Sequence, residues 1–263
     1  MGTLQFEYHM TLTYSHPVSE SHYTLKCLPR DTDMQRITDL NITIAPAHDC
    51  QRGTDSFGNL TVYGNLYFPH SYFEVTVTGT AETWLAVSQR CTENTMLFRH
   101  PHGLNRPDAS IRSYFHALAD SIPPTSNYDA AMHLMHRLHR DFIYEQGVTG
   151  VNTTASEAWV LGKGVCQDYA HIFIALCHLS GIPARYVTGI MGGEGATHAW
   201  VEILSGEYWY ALDPTNNCIA ADSYIKIAHG RDAADCMVNK GIIRSNAEQH
   251  QTVTVHVTEK EKL

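Results

Sequence analysis

Apolar and polar residues alternate over positions 4–13, with Leu4, Phe6, Tyr8, Met10 and Leu12 separated by Gln5, Glu7, His9 and Thr11. A period of two sends one set of side chains to a core and the other to water, so this stretch predicts a half-buried strand. Positions 23–28, 40–44, 60–68 and 72–78 predict shorter strands, divided by the breaker segments Asp55-Ser56-Phe57-Gly58-Asn59 and Pro69-His70. Strands of this length and spacing predict a β-sandwich that ends between 81 and 87.

Beyond it the period changes. After an irregular stretch punctuated by Pro101, Gly103 and Pro107, a helix is expected over 108–119, with Ile111, Tyr114, Phe115 and Leu118 on one face. A second is expected over 128–142 from Ala131, Leu134, Met135, Leu138 and Phe142, with Ser126 or Asn127 as N-cap. Thr154 and Glu157 fit a capping box for a short helix through Leu161. Next, Tyr169, Ile172, Phe173, Leu176 and Leu179 mark one face of a helix that starts near Cys166 and stops at Gly181-Ile182-Pro183. Strands follow at 198–203 and 208–212 around a Ser205-Gly206 turn, and Val253, Val255 and Val257 alternate as a last strand before a charged, solvated tail. The expected organisation is α+β: an N-terminal β-sandwich at 1–87, a linker and helix at 88–125, and a domain of helices packed on an antiparallel sheet at 126–263.

Composition narrows the function classes. Of 263 residues 43% are hydrophobic and 17% charged, which describes a globular chain long enough for one or two domains. Lys and Arg number 18 against 27 Asp and Glu, and the net charge of −9 argues against nucleic acid or an anionic membrane as partner. No apolar run approaches membrane-spanning length and the N-terminus has no basic segment before an apolar one, so a soluble, cytoplasmic protein is expected. Seven scattered cysteines without a CxxC pair predict reduced thiols and neither a disulfide framework nor a zinc ribbon.

One of those thiols is placed for chemistry. A cysteine is nucleophilic as its thiolate, and Cys166 falls in the first turn of a helix, where free N–H groups and the dipole favour an anion. The same N–H groups suit the oxyanion of acyl transfer. A Ser205-Gly206 turn sets His198 opposite Asp213 with Cβ atoms about 5 Å apart, close enough for a carboxylate to orient an imidazole. A base oriented by a third group is the arrangement that activates a nucleophile, so Cys166, His198 and Asp213 are the candidate catalytic residues.

Other candidates carry plainer readings. His133, His136 and His139 recur at spacings of three, which turns the third about 60° off an axial line, and Arg137 and Arg140 would repel a cation; a solvated face is expected, with no metal or cofactor. His171 lies about 140° around its helix from Cys166 and is expected to be a structural hydrogen-bonding residue. Asp168 favours the helix dipole, Trp159 is expected in the core, and Trp200 shares the His198 face as a shield. Gly192-Gly193-Glu194-Gly195 predicts a flexible loop at the site's edge, with no following helix to make it a phosphate loop.

The ordered segments Gly164-Val165-Cys166-Gln167-Asp168-Tyr169-Ala170-His171, Gly181-Ile182-Pro183-Ala184-Arg185-Tyr186-Val187, His198-Ala199-Trp200 and Asp213-Pro214-Thr215 resemble the transglutaminase-like superfamily. The resemblance implies a papain-like catalytic core, acyl transfer through a Cys thioester, and a peptide or protein substrate. Gln35-Arg36, Asp55-Ser56-Phe57-Gly58-Asn59 and Gly230-Arg231-Asp232-Ala233-Ala234-Asp235 are similar to segments flanking the core in bacterial members with an N-terminal sandwich, which look like cysteine proteases. Hydrolysis is therefore the expected outcome, amine transfer by a transglutaminase the alternative, and a catalytically silent peptide-binding module the reading from another class.

Overall fold

The computed structural model describes residues 2–84 and 88–260. The N-terminal part holds β1 (Gly2–Val18), β2 (Ser21–Leu25), β3 (Gln35–Ala45), β4 (Cys50–Thr54), β5 (Leu60–Leu66) and β6 (His70–Thr83). The core follows with β7 (Ser88–Arg90), α1 (Ala109–Leu118), α2 (Asn127–Asp141), β8 (Ile143–Tyr144), α3 (Ala155–Leu161), β9 (Lys163–Gly164) and α4 (Cys166–Leu179). It continues through β10 (Ala184–Met191), β11 (Gly193–Gly195), β12 (His198–Ser205), β13 (Tyr208–Asp213), β14 (Cys218–Ile219) and β15 (Tyr224–Gly230), and the chain closes with β16 (Asn239–Ile243) and β17 (Gln249–Glu259).

The sandwich consists of a five-stranded sheet, β11-β17-β1-β6-β3, facing a four-stranded sheet, β16-β2-β5-β4. Leu4, Phe6, Tyr8, Met10 and Leu12 all point to its core, as their alternation requires, and the Tyr23 and Phe73 rings meet between the sheets at 4.7 Å. β3 begins earlier than its apolar pattern suggests because its register shifts between Thr38 and Asn41, where Asp39 takes φ 53°, and the bulge changes the parity of the alternation. The expected end of the sandwich runs into 85–87, which lie outside the described residues; β6 itself ends at Thr83.

Two boundaries differ from the sequence reading. The span 126–263 is not one spatial unit, since β16 pairs with β2 and β17 pairs with β1, matching Phe6 with Val257, Tyr8 with Val255 and Met10 with Val253. Those valines face the same core as β1, so the last strand completes the first sheet of the chain. The expected linker also starts inside the core, because β7 pairs with β13.

The core sheet has the order β14-β13-β12-β10-β15, and α4 packs on β12 and β10 with α1, α2 and α3 around its other sides. Its sequence pattern suggests one buried face, yet every residue from Asp168 to Cys177 is buried. Ala170, Ile174 and Ala175 fill the far side, and a helix that is apolar all round belongs in an interior. The neighbouring helices begin as their caps dictate: Ser126 Oγ accepts from Asp129 N–H at 3.1 Å, and Thr154 and Glu157 form the reciprocal capping box. Among the described residues no helix is long and apolar enough to cross a membrane.

Two carboxamides clasp the sandwich to the core. Gln35 Nε2 donates to Lys226 O and its Oε1 accepts from Lys226 N–H, both at 2.8 Å. Asn59 does the same to His229, at 2.8 and 2.9 Å. Each side chain thus acts as a strand partner for β15, the edge of the core sheet. Beside them, buried Glu202 binds Arg185 and Lys226, both at 2.6 Å, while the Arg185 guanidinium lies 4.3 Å from the Trp209 ring centre. Burial opposes the Glu202 charge, but the two cations prevail and hold its carboxyl down at about 2. Gln35→Ala or Asn59→Ala leaves buried backbone groups unpaired, and each is expected to lower unfolding free energy in urea by about 1–3 kcal/mol; shifts within error would contradict the clasp.

Candidate active site

Cys166 opens α4 because the chain before it can come very close. A Cβ on Gly164 would sit 2.4 Å from Asp168 Oδ2, so only glycine fits there. That oxygen accepts from Val165 N–H at 2.7 Å and Thr149 Oγ1 at 2.6 Å, which caps the helix. Asp168 therefore does serve the helix start, and it does so as a buried anchor; burial raises its carboxyl above the ordinary value. Cys166 N–H, at the first helical position, has no carbonyl one turn back to bind. The thiol is half-buried, and Gln167 Nε2 reaches Val151 O at 3.2 Å, holding the loop beside it.

His198 and Asp213 meet by a register different from the expected one. Ser205 pairs with Tyr208 and Val201 with Leu212, so the turn is Gly206-Glu207 and Asp213 is displaced by two residues from the position opposite His198. Gly206 at φ 61° explains the choice: a positive φ at the first central residue suits a two-residue hairpin turn that Ser205 could not lead. A slip of two keeps both side chains on one face, and His198 Nε2 donates to Asp213 Oδ2 at 2.7 Å along the diagonal.

Asp213 is fully buried and fully occupied. Oδ2 also accepts from Tyr224 Oη at 2.8 Å and Asn216 Nδ2 at 2.7 Å, while Oδ1 takes the N–H groups of Thr215 and Asn216 at 2.9 and 3.1 Å. Burial works against the charge, but His198, Tyr224 and the Asn216 N–H outweigh it and hold the carboxyl below its usual value. Burial likewise opposes a charged His198, and bonds and charges from Asp213 and Cys166 overcome it, raising the imidazole to about 10. The Trp200 ring stacks beside His198 with centres 6.4 Å apart.

Cys166 and His198 border one cleft of about 440 Å³. Its far wall comes from the sandwich and the returning C-terminus, through Tyr8, Asn239, Gln251 and Val253. The expected flexible loop before His198 is in fact strand β11, which pairs with β17 at the edge of the sandwich sheet and so fixes the approach to the histidine. Gly193 takes φ 110°, and the glycines here read as a loop in sequence because they carry no side-chain alternation.

The family described as the transglutaminase-like superfamily matches residues 116–214, and the bacterial transglutaminase-like N-terminal region matches residues 4–82. Residues 116–214 thus form a transglutaminase-like superfamily core. The chain is similar to an uncharacterized protein of Mycobacterium tuberculosis, 28% identical over 268 residues covering 89% of this chain and 85% of the other. Another uncharacterized protein, of Mycobacterium leprae, is 27% identical over 271 residues, 93% of this chain and 94% of the other. The crystal structure of a candidate cysteine protease from Cytophaga hutchinsonii superposes with a TM-score of 0.79 at 22% identity, over 100% of this chain and 92% of that one, a likeness of fold.

Within this superfamily core the remaining candidates take supporting places. His171 Nε2 accepts from Ala233 N–H at 3.1 Å, and burial pushes the imidazole down to about 4, a neutral structural ring. It secures the 231–236 segment of the cleft wall together with the Arg231–Asp235 ion pair at 2.7 Å. His102, Asp232 and Asp235 lie close enough to share a cation, but the Arg231 guanidinium already occupies Asp235 and Asp232 is taken up by His102 and two backbone N–H groups. His136 and His139 are exposed, and their Nδ1 atoms bond Asn217 Oδ1 at 2.6 Å and Pro214 O at 3.3 Å, so this face steadies the loop after Asp213. Trp159 packs on Tyr114 and Phe142 in the core.

Sequence reasoning missed Asn216, Tyr224 and the sandwich wall. Asn216 was within reach of a local signal, since Asp213 followed by Pro214 begins an Asx-type turn; Tyr224 arrives from another strand with no local mark. The raised imidazole stabilises the fold fully below its ordinary 6.5, and this contribution is lost as pH rises through about 10. Ring-carbon NMR is therefore expected to show His198 as imidazolium until near pH 10, with a lower midpoint in Cys166→Ala. A parent midpoint near 6.5 would contradict the arrangement.

Proposed function

We propose that this chain is a thiol-dependent hydrolase that cleaves peptide or carboxamide bonds through a thioester on Cys166. The observation that carries the reading is the His198 imidazole, bound through Nε2 to a buried carboxylate and sharing a cleft with the thiol. With Nε2 engaged, Nδ1 holds the proton that Cys166 has given up, so the sulfur meets the substrate already paired with an imidazolium. Sγ then attacks the carbonyl carbon, and Cys166 N–H meets the developing oxyanion. His198 returns the proton to the departing amine or ammonia, and afterwards takes one from the water that opens the thioester. Asp213 holds the tautomer and the imidazolium throughout.

Among the described residues the cleft is lined by no Asp, Glu, Lys or Arg, which favours a neutral segment of substrate. Water is the preferred acceptor because the thiol is only half-buried. Labelled casein and a glutaminyl dipeptide, each supplied with a fluorescent primary amine, test the reading: peptide cleavage or ammonia release without amine incorporation is expected. Cys166→Ala is expected to lower turnover by about 10³-fold or more, with some activity surviving in Asp213→Ala. Amine incorporation would make the protein a transglutaminase, and equal turnover in Cys166→Ala would sink the mechanism.

A further inference from the structure

Tyr186 lies beside the proposed nucleophile without a task in the fold that uses its hydroxyl. It sits on β10, and the residue is 3% exposed. The ring rests on His171, with centres 5.1 Å apart, and its backbone carbonyl receives the Cys236 thiol at 3.8 Å. Both neighbours are themselves fixed, His171 by Ala233 N–H, so the ring is held in one place. Yet the residue borders the cleft next to Cys166, Thr188 and His198. A tyrosine buried this deeply normally spends its phenolic hydrogen on a partner. Among the described residues no hydrogen bond engages the Tyr186 hydroxyl, and Thr188, two residues along the same strand face, borders the same cleft. The hydrogen of Tyr186 is thereby left for the cleft.

We propose that Tyr186 is the side-chain oxyanion donor of this site, completing with Cys166 N–H the pair of groups that receive a substrate carbonyl oxygen. The inference rests on the acyl-transfer reading. When the S–C bond forms, the carbonyl π electrons move to oxygen, and Cys166 N–H and Tyr186 O–H both donate to it. No proton leaves Tyr186. The C=O bond re-forms as the amine departs with the proton held by His198. Burial first, and then the negative charge of a Cys166 thiolate, raise the phenol far above its usual range, so it remains a neutral donor wherever the thiol works. Such a fixed donor costs no reorganisation as charge develops.

Two reagents separate this role from any effect on the thiol itself. Iodoacetamide alkylates sulfur at a saturated carbon without forming an oxyanion, whereas p-nitrophenyl acetate acylates it through one. Tyr186→Phe keeps the ring and its packing. It is expected to slow single-turnover acylation of Cys166 by about 10²-fold while alkylation stays within about twofold of the parent. Acylation at the parental rate, or equal slowing with both reagents, would overturn the assignment of Tyr186. A parent whose Cys166 is alkylated but never acylated would overturn the acyl-transfer reading beneath it.

Discussion

A buried carboxylate organises the site. Asp213 is shut off from water, and a charge so placed survives only if every lone pair finds a donor. Its donors come from β12, from β15 and from its own turn, so the demand of one group draws three parts of the core together. The same demand determines the imidazole's orientation. With Nε2 committed to Asp213, the opposite edge of His198 is presented to the cleft that holds Cys166.

The sandwich is more than an appended domain. Gln35 and Asn59 reach out of it to complete hydrogen bonds along β15, the strand that carries Tyr224. β11 runs from the core into the sandwich sheet immediately before His198. β17, the last strand, lies between β11 and β1 and lends Gln251 and Val253 to the cleft wall. The geometry of the site therefore depends on strands that are far apart in sequence, and on a C-terminus folded back onto the first strand.

Much of this was legible from local pattern. The alternation of β1, the caps of α2 and α3, the glycine stop after α4 and the placing of Cys166 at a helix start follow from residues within one or two turns of each other. The pairing of His198 with Asp213 was also legible, though through a register off by two; a slip of two preserves the face, which is all the contact needed. What stayed hidden depends on distant chain. No local feature tells that Val253, Val255 and Val257 complete the sheet of Leu4 and Phe6, or that Tyr224 turns its hydroxyl to Asp213. Gln35 drew attention only through resemblance, and Asn59 only through that and as part of a breaker segment; their reason is a clasp visible in three dimensions alone.

The central claim is that Cys166, His198 and Asp213 act as one nucleophilic unit. The most direct test is the rate of iodoacetamide labelling at each of the seven cysteines, read by mass spectrometry on the folded protein. Exposed Cys50 and half-buried Cys91 and Cys218 serve as internal references for access. The account predicts that Cys166 reacts faster than all of them at mildly acidic pH and loses that advantage in His198→Ala. Labelling of Cys166 no faster than Cys50, or unchanged without His198, would contradict it.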